Sequence, residues 1–267
     1  MKKITLISVM ICSIVIYTTS CVHVNINSAD GKNLIGNGIL KEKERAKMDF
    51  TALDARGSID VYISESSDRP VTVSGDENLI DSIETYVKED VLYIHFKKGY
   101  NYTSKKGLKV IIPNNGKINR INLSGSSDVF IEGCLVADNM SITAKGSSDI
   151  KGNIKAGNID MNCSGSSDFK GHVEAIKCNV KCTGSSDCII SGSADVCDIS
   201  MTGSSDFKGY GFTAKKCNCS ASGSSDIQIT CTDELSVRSG GSSDVYYRGN
   251  AKIVHKHLSG SSDLYNK

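Results

Sequence analysis

In the C-terminal half of the chain, apolar residues fall at every second position in short runs, and each run leads into the same tetrapeptide. Gly-Ser-Ser-Asp occurs eight times, with its aspartates at Asp128, Asp149, Asp168, Asp187, Asp206, Asp226, Asp244 and Asp263; subtraction gives spacings of 21, 19, 19, 19, 20, 18 and 19 residues. Seven residues before each aspartate stand Ile121, Ile142, Met161, Val180, Ile199, Cys219, Val237 and Lys256. The columns nine and five before it are also mostly apolar, whereas those eight and six before it are Arg, Asn, Asp, Ser, Thr, Lys or His. A two-residue period is that of a strand with one buried face. After each aspartate a second apolar position follows at once, from Val129 and Ile150 to Leu264.

One repeat therefore reads as strand, GSSD turn, strand and second turn, with no helical pattern of adequate length. A unit of about 19 residues cannot bury its inner face alone, but stacking at about 4.8 Å covers it with its neighbours. The predicted fold is all-β: a parallel β-helix or β-solenoid, two sheets around a thin core, with the coil right-handed by the general crossover rule. The glycine supplies the positive φ of a sharp corner, and Ser and Asp pair with nearby backbone groups.

The stack places the eight aspartates in a row. Unit charges 4.8 Å apart repel by about 0.9 kcal/mol in water and about 3.5 kcal/mol at an effective dielectric of 20. Backbone N–H groups and serine hydroxyls aimed at each carboxylate are the expected compensation, which makes the row a structural corner first and a candidate binding surface second. Ordered calcium is not expected, because the nine-residue β-roll pattern is missing and hard cations need six or more oxygen ligands. Catalysis needs one place where acid, base and orienting groups converge. Here one carboxylate recurs per rung with no His or Arg at a fixed offset, His172 is isolated, and His255 and His257 flank Lys256 in a last rung that reads as an end cap. No catalytic, cofactor-binding or metal-binding residue is assigned.

Ahead of the repeats, Met1-Lys2-Lys3, the apolar run Ile4 to Tyr17 and the small residues Thr18 to Ser20 read as a signal segment over residues 1–20, too short to span a bilayer. Cys21 is placed as the lipidated first residue of a bacterial lipoprotein, although Thr18 stands where such signals usually carry Leu. Residues 21–38 read as a flexible tether. Residues 39–113 read as a less regular β segment capping the solenoid, since open sheet edges template aggregation. Residues 114–267 carry the eight repeats, and 39–267 form one continuous domain whose last rung leaves an end that a partner copy could cover.

Charge and cysteine narrow the functional classes. The chain has 31 Lys and Arg against 30 Asp and Glu, 6% aromatic residues and no Trp, so there is no global field to steer nucleic acid, and the case for a sugar-stacking platform is weakened. Lys97-Lys98 to Lys105-Lys106, with Tyr100 and Tyr102, is read as a solvated hairpin loop. Eleven cysteines in an exported chain suggest disulfides. Most, however, occupy inward columns, with Cys178, Cys197 and Cys217 in one and Cys163 and Cys182 in another, where free cysteine packs as a small hydrophobe.

Met48 to Leu53, Gly57-Ser58-Ile59-Asp60-Val61-Tyr62-Ile63, Val71 to Leu79 and Val91 to Ile94, together with the eight GSSD turns, resemble the head GIN domain family of auto-transporter adhesins over about residues 36–267. The resemblance implies a β-helical fold without catalytic residues and a cell-envelope lipoprotein engaged in adhesion. It supplies no cofactor. The functional expectation is a non-enzymatic module at the outer membrane, on its periplasmic face or at the cell surface. Its partners would be the membrane, through the lipid anchor, and envelope or host polysaccharide or protein, with no nucleic acid. The alternatives are a carbohydrate-active enzyme on the same fold, or a periplasmic sensor or scaffold component.

Overall fold

The computed structural model describes residues 32–267; the signal segment and Cys21 lie outside the described residues. The described residues form 19 strands and one 3-10 turn, Ile80–Ser82. Seventeen strands belong to a single sheet that winds around the core. Six complete rungs, Val129–Gly146, Ile150–Gly165, Phe169–Gly184, Cys188–Gly203, Phe207–Gly223 and Ile227–Gly241, are each one extended segment between successive Ser-Ser-Asp corners. They pair in parallel with like over like: Ile142, Met161, Val180, Ile199, Cys219 and Val237 stand in one column. The predicted solenoid and its rung length are those of the structure.

The second turn is the main difference from the sequence reading. The chain stays extended there although the ladder skips residues in several rungs, as between Phe130 and Cys134, and a further paired stretch follows. Leu135, Ile154, Val173 and Gly192 stack in one of its columns, and Ala137, Ala156, Ala175 and Ala194 in another. Each rung thus has three inward-facing stretches rather than two, and its core is closed on all sides. Volumes compensate along the columns. Gly192 has φ +113°, and a Cβ there would lie 2.0 Å from the Val173 carbonyl oxygen. The next rung places the fully buried Phe212 over Gly192, edge-on to Phe207 at 6.5 Å between ring centroids. Apart from the exposed Cys134, the described cysteines are buried and free, including both predicted columns.

The parallel stack begins earlier than the first GSSD. Ala52–Gly57 and Asp60–Ser64 form a full rung beneath Arg120–Gly125 and Val129, with Gly57 under Gly125 and Val61 under Val129. Beneath it lies another rung, made of Val91–Phe96 and Lys109–Pro113. Stack order therefore departs from chain order: the chain lays one rung, descends to lay a second below it, then returns above at Arg120. The lower rung is finished by antiparallel strands, Ile83–Lys88 against Val91–Phe96 and Thr72–Asp76 against Lys109–Ile111, with Leu40–Glu44 outermost. That outer strand reads LKEKE and is exposed throughout, a charged edge of the kind that resists further pairing.

Two expectations for the N-terminal part are corrected. Lys32–Ile35, inside the expected tether, is a strand paired with Tyr100–Thr103. The expected solvated loop around Tyr100 and Tyr102 is anchored, because Tyr102 is buried and stacks on Phe96 at 4.4 Å. Asp76 explains both. Solvent cannot reach it, and its carboxylate accepts hydrogen bonds from Gly38 N–H (2.7 Å), the Ser104 hydroxyl (2.5 Å), Lys105 N–H (2.9 Å) and Lys106 N–H (3.1 Å). Gly36 passes so close that a Cβ would fall 2.3 Å from the Asp76 Cγ.

At the other end, Lys252–Leu258 and Leu264–Asn266 form the last rung, and Lys256 stands over Val237 in what is elsewhere an apolar column.

Candidate functional site

The GSSD corners lie in file, and each of their residues has a separate inter-rung task. The glycines from Gly125 to Gly260 have φ between +71° and +96°, and a Cβ on any of them would come within 2.4–2.6 Å of the carbonyl oxygen of the glycine below. The second serine points into the core: Ser127, Ser148, Ser167, Ser186, Ser205, Ser225 and Ser243 are fully buried. Except at Ser148, whose hydroxyl has no partner, their hydroxyls take backbone N–H bonds from the rung below, as Ser186 does from Ser167 and Ser205 from Ser186, at 3.2 and 3.3 Å. The expectation that serine hydroxyls neutralise the carboxylates is therefore corrected; they satisfy the backbone of the corner instead.

The predicted aspartate row is present, and backbone N–H groups compensate it. Each Oδ1 accepts the N–H of the next aspartate: Asp149 to Asp128 (3.0 Å), Asp168 to Asp149 (3.2 Å), Asp187 to Asp168 (2.8 Å), Asp206 to Asp187 (3.2 Å), Asp226 to Asp206 (3.1 Å), Asp244 to Asp226 (3.0 Å) and Asp263 to Asp244 (2.8 Å). Asp60 begins the file, accepting from Asp128 N–H at 3.4 Å. Several outer oxygens are also engaged. Lys208 bridges Asp187 and Asp206 at 2.5 and 3.5 Å, while the Tyr246 and Tyr265 hydroxyls donate to Asp244 and Asp263.

Crowding still shows in the acidities. Burial first, then the Asp128 charge, pushes the Asp60 carboxyl up to about 6. Burial and then neighbouring carboxylates raise Asp128, Asp168 and Asp226 as well. Among the described residues no group of three or more His, Cys, Asp or Glu is placed to hold a metal ion. His172 sits 3.1 Å from the Ser191 hydroxyl and 3.6 Å from Glu174 on the outer surface.

A second surface was not singled out from the sequence. On the flank ahead of the corners, a groove of about 850 Å³ crosses six rungs. One wall is the column Asp160, Asn179, Asp198, Asn218, Ser236 and His255; the other is Asn162, Lys181, Ser200, Ser220, Arg238 and His257. These are the polar columns eight and six residues before each aspartate. The alternation marked them as outward, but nothing in it says that the face is concave. The two acidic side chains are already engaged: Asn179 donates to Asp160 at 2.5 Å and Asn218 to Asp198 at 2.7 Å, and Lys177 lies 3.4 Å from Asp198.

The comparisons agree with this geometry. The family model described as "Putative auto-transporter adhesin, head GIN domain" matches residues 49–251. The chain belongs to that family. Among solved structures, it is similar to a putative adhesin from Parabacteroides merdae ATCC 43184, at 23% identity and TM-score 0.82, covering 89% of this chain and 100% of that one. A putative adhesin from Parabacteroides distasonis ATCC 8503 shares 25% identity at TM-score 0.81, covering 88% and 100%. A protein from the same organism described as a putative lipid binding protein shares 23% identity at TM-score 0.79, with the same coverage. No curated protein matches the chain.

Proposed function

We propose that this chain is a non-enzymatic adhesive module of the cell envelope, exported and held at the outer membrane by lipid on Cys21. The observation that carries the reading is the repetition itself. Outward polar columns recur rung after rung at about 4.8 Å, so the surface offers many equivalent contacts in place of one converged set of reacting groups. Such a surface suits a repeating ligand, an envelope or host polysaccharide or protein, held through many weak contacts whose effective concentration multiplies. Membership in an adhesin family and the likeness to the Parabacteroides adhesins support adhesion. Export and anchoring rest on the signal-like run from Met1 to Ser20 and on Cys21 in the sequence.

Three measurements on one strain test the reading. Labelled fatty acid is expected on the native chain and lost in Cys21→Ser. Protease added to intact cells distinguishes the surface, where the chain is cut, from the periplasmic face, where it is protected. Beads carrying the purified protein are expected to adhere to envelope or host-matrix material. Failure to adhere to either would overturn the adhesive reading, and release of reducing ends from polysaccharide that a single substitution abolishes would replace it with an enzyme.

A further inference from the structure

The geometry points to the 850 Å³ groove as a binding site for a linear polysaccharide carrying anionic groups, the chain lying across the rungs parallel to the solenoid axis. The inference rests on the adhesive reading and gives it a place and a ligand chemistry. From Asp160 to His255 the groove crosses five inter-rung steps, or about 24 Å at 4.8 Å each, which suits an extended chain better than a compact metabolite.

Charge selects the ligand. Lys181 on one side of the groove, and Arg238 and Lys256 toward the last rung, form no ion pair among the described residues, and both Lys181 and Arg238 are exposed. The groove's own carboxylates, on Asp160 and Asp198, are occupied by asparagine amides. A neutral amide leaves each carboxylate its charge, so the lining sets Lys181, Arg238 and Lys256 against Asp160 and Asp198; the positive excess lies toward the last rung, at Arg238 and Lys256, with the hydroxyls of Ser200 and Ser220 between it and Lys181. Lys181 and Arg238 stand three rungs apart, so they would meet separate anionic groups about 14 Å apart along one chain.

A glycan fits this surface better than an acidic peptide. The groove runs across paired strands, whose backbone N–H and C=O groups are already used, so a peptide cannot add as a further strand. Neither wall holds a Phe, Tyr, Trp or large apolar side chain to anchor peptide residues, whereas amides and hydroxyls in register suit the hydroxyls of a sugar polymer.

The test is calorimetric binding by the purified protein to hyaluronan, chondroitin sulfate and neutral dextran at low salt. Both anionic glycans are expected to bind, dextran at least tenfold more weakly, and added salt is expected to weaken the interaction. The double variant Lys181→Glu with Arg238→Glu is expected to lose at least tenfold in affinity. An equal charge change elsewhere, Lys88→Glu with Lys170→Glu, is expected to leave affinity within twofold. The milder Lys181→Gln with Arg238→Gln keeps the test open if the reversal fails to fold.

Dextran binding as tightly as hyaluronan, equal losses in the groove and control pairs, or no loss in the groove pair each overturns the inference. So does failure of both anionic glycans to bind. Bead adhesion separates the two readings: a groove variant that still adheres as well as the native protein sinks the groove and leaves the adhesive function standing.

Discussion

Asp60 shows what one residue contributes to the file of carboxylates. Its folded acidity is displaced upward to about 6, by burial first and by the Asp128 charge second. An acid whose folded pKa lies above its unfolded value near 3.9 stabilises the fold below that lower value, and the contribution is lost as pH rises through the upper one. At neutral pH the charged Asp60 therefore works against the fold. Asp60→Asn keeps an amide oxygen to accept the Asp128 N–H and removes the charge. It is expected to melt about 2–4 °C above the native protein at pH 7.5, equivalent to about 1 kcal/mol, with the difference closing as pH falls to 4. Paired melting curves across that range check it; a gap that stays constant with pH would show that charge is not the cause.

The serine beside each aspartate marks what composition hides at this scale. In one chain segment a turn serine reads as a local hydroxyl. Only when the next rung covers Ser186 does its Oγ become the buried acceptor for the Ser167 N–H.

At the scale of elements, legibility follows the range of the contacts. The columns at nine, seven and five residues before each aspartate were plain, because their neighbours recur at one fixed offset. The stretch containing Leu135, Ile154 and Val173 was not. It follows bends at Gly133, Gly152 and Gly171 where the alternation breaks, and pairing in the ladder alone shows it to be a strand. The order of the first rungs was hidden for the same reason, since Ala52 pairs with Val91 below and Arg120 above, partners that no local pattern joins. The groove escaped because polarity identifies an outward face and says nothing of its curvature.

Asp76 ties three separate N-terminal elements together, and its behaviour with pH is the reverse of that of Asp60. Burial alone would raise its pKa. The Ser104 hydroxyl and the N–H groups of Gly38, Lys106 and Lys105 together outweigh burial, and the net displacement is downward. Its contribution is therefore present above the ordinary carboxylate pKa and lost as pH falls through the lowered folded value. Asp76→Ala leaves those donors without their shared acceptor, at a cost of about 3 kcal/mol from hydrogen bonds to a charged group. Hydrogen exchange at neutral pH is expected to show lost protection at Lys32–Ile35 and Tyr100–Thr103, with the rungs above Arg120 unchanged. Protection retained at Lys32–Ile35 would mean that pairing with Tyr100–Thr103 holds the strand without the carboxylate.

The whole molecule is a one-dimensional stack, in which each rung is answerable mainly to the rungs above and below. Removing residues 169–187, which is 19 residues, should therefore shorten the solenoid without changing its plan. The rung from Cys188 would settle on the rung from Ile150. Ile190 would lie over Gly152 in place of Gly171, Gly192 over Ile154 in place of Val173, and Ile199 over Met161 in place of Val180. The Asp206 N–H would meet Asp168, as Asp187 does now. Every exchange is apolar for apolar or glycine for glycine, so the variant is expected to keep its β-type circular dichroism and a single cooperative transition. Its melting temperature should fall by about 2–8 °C, on the order of 1–2 kcal/mol. Removing residues 169–177 instead takes out nine, about half a rung, so that Cys178 follows Asp168 in the inward place of Phe169 and the corner at Asp187 falls half a turn out of the file. That shorter deletion is expected to abolish cooperative melting. If the two deletions behave alike, the rungs are not independent units, and the stability of the fold resides in contacts longer than one step of the stack.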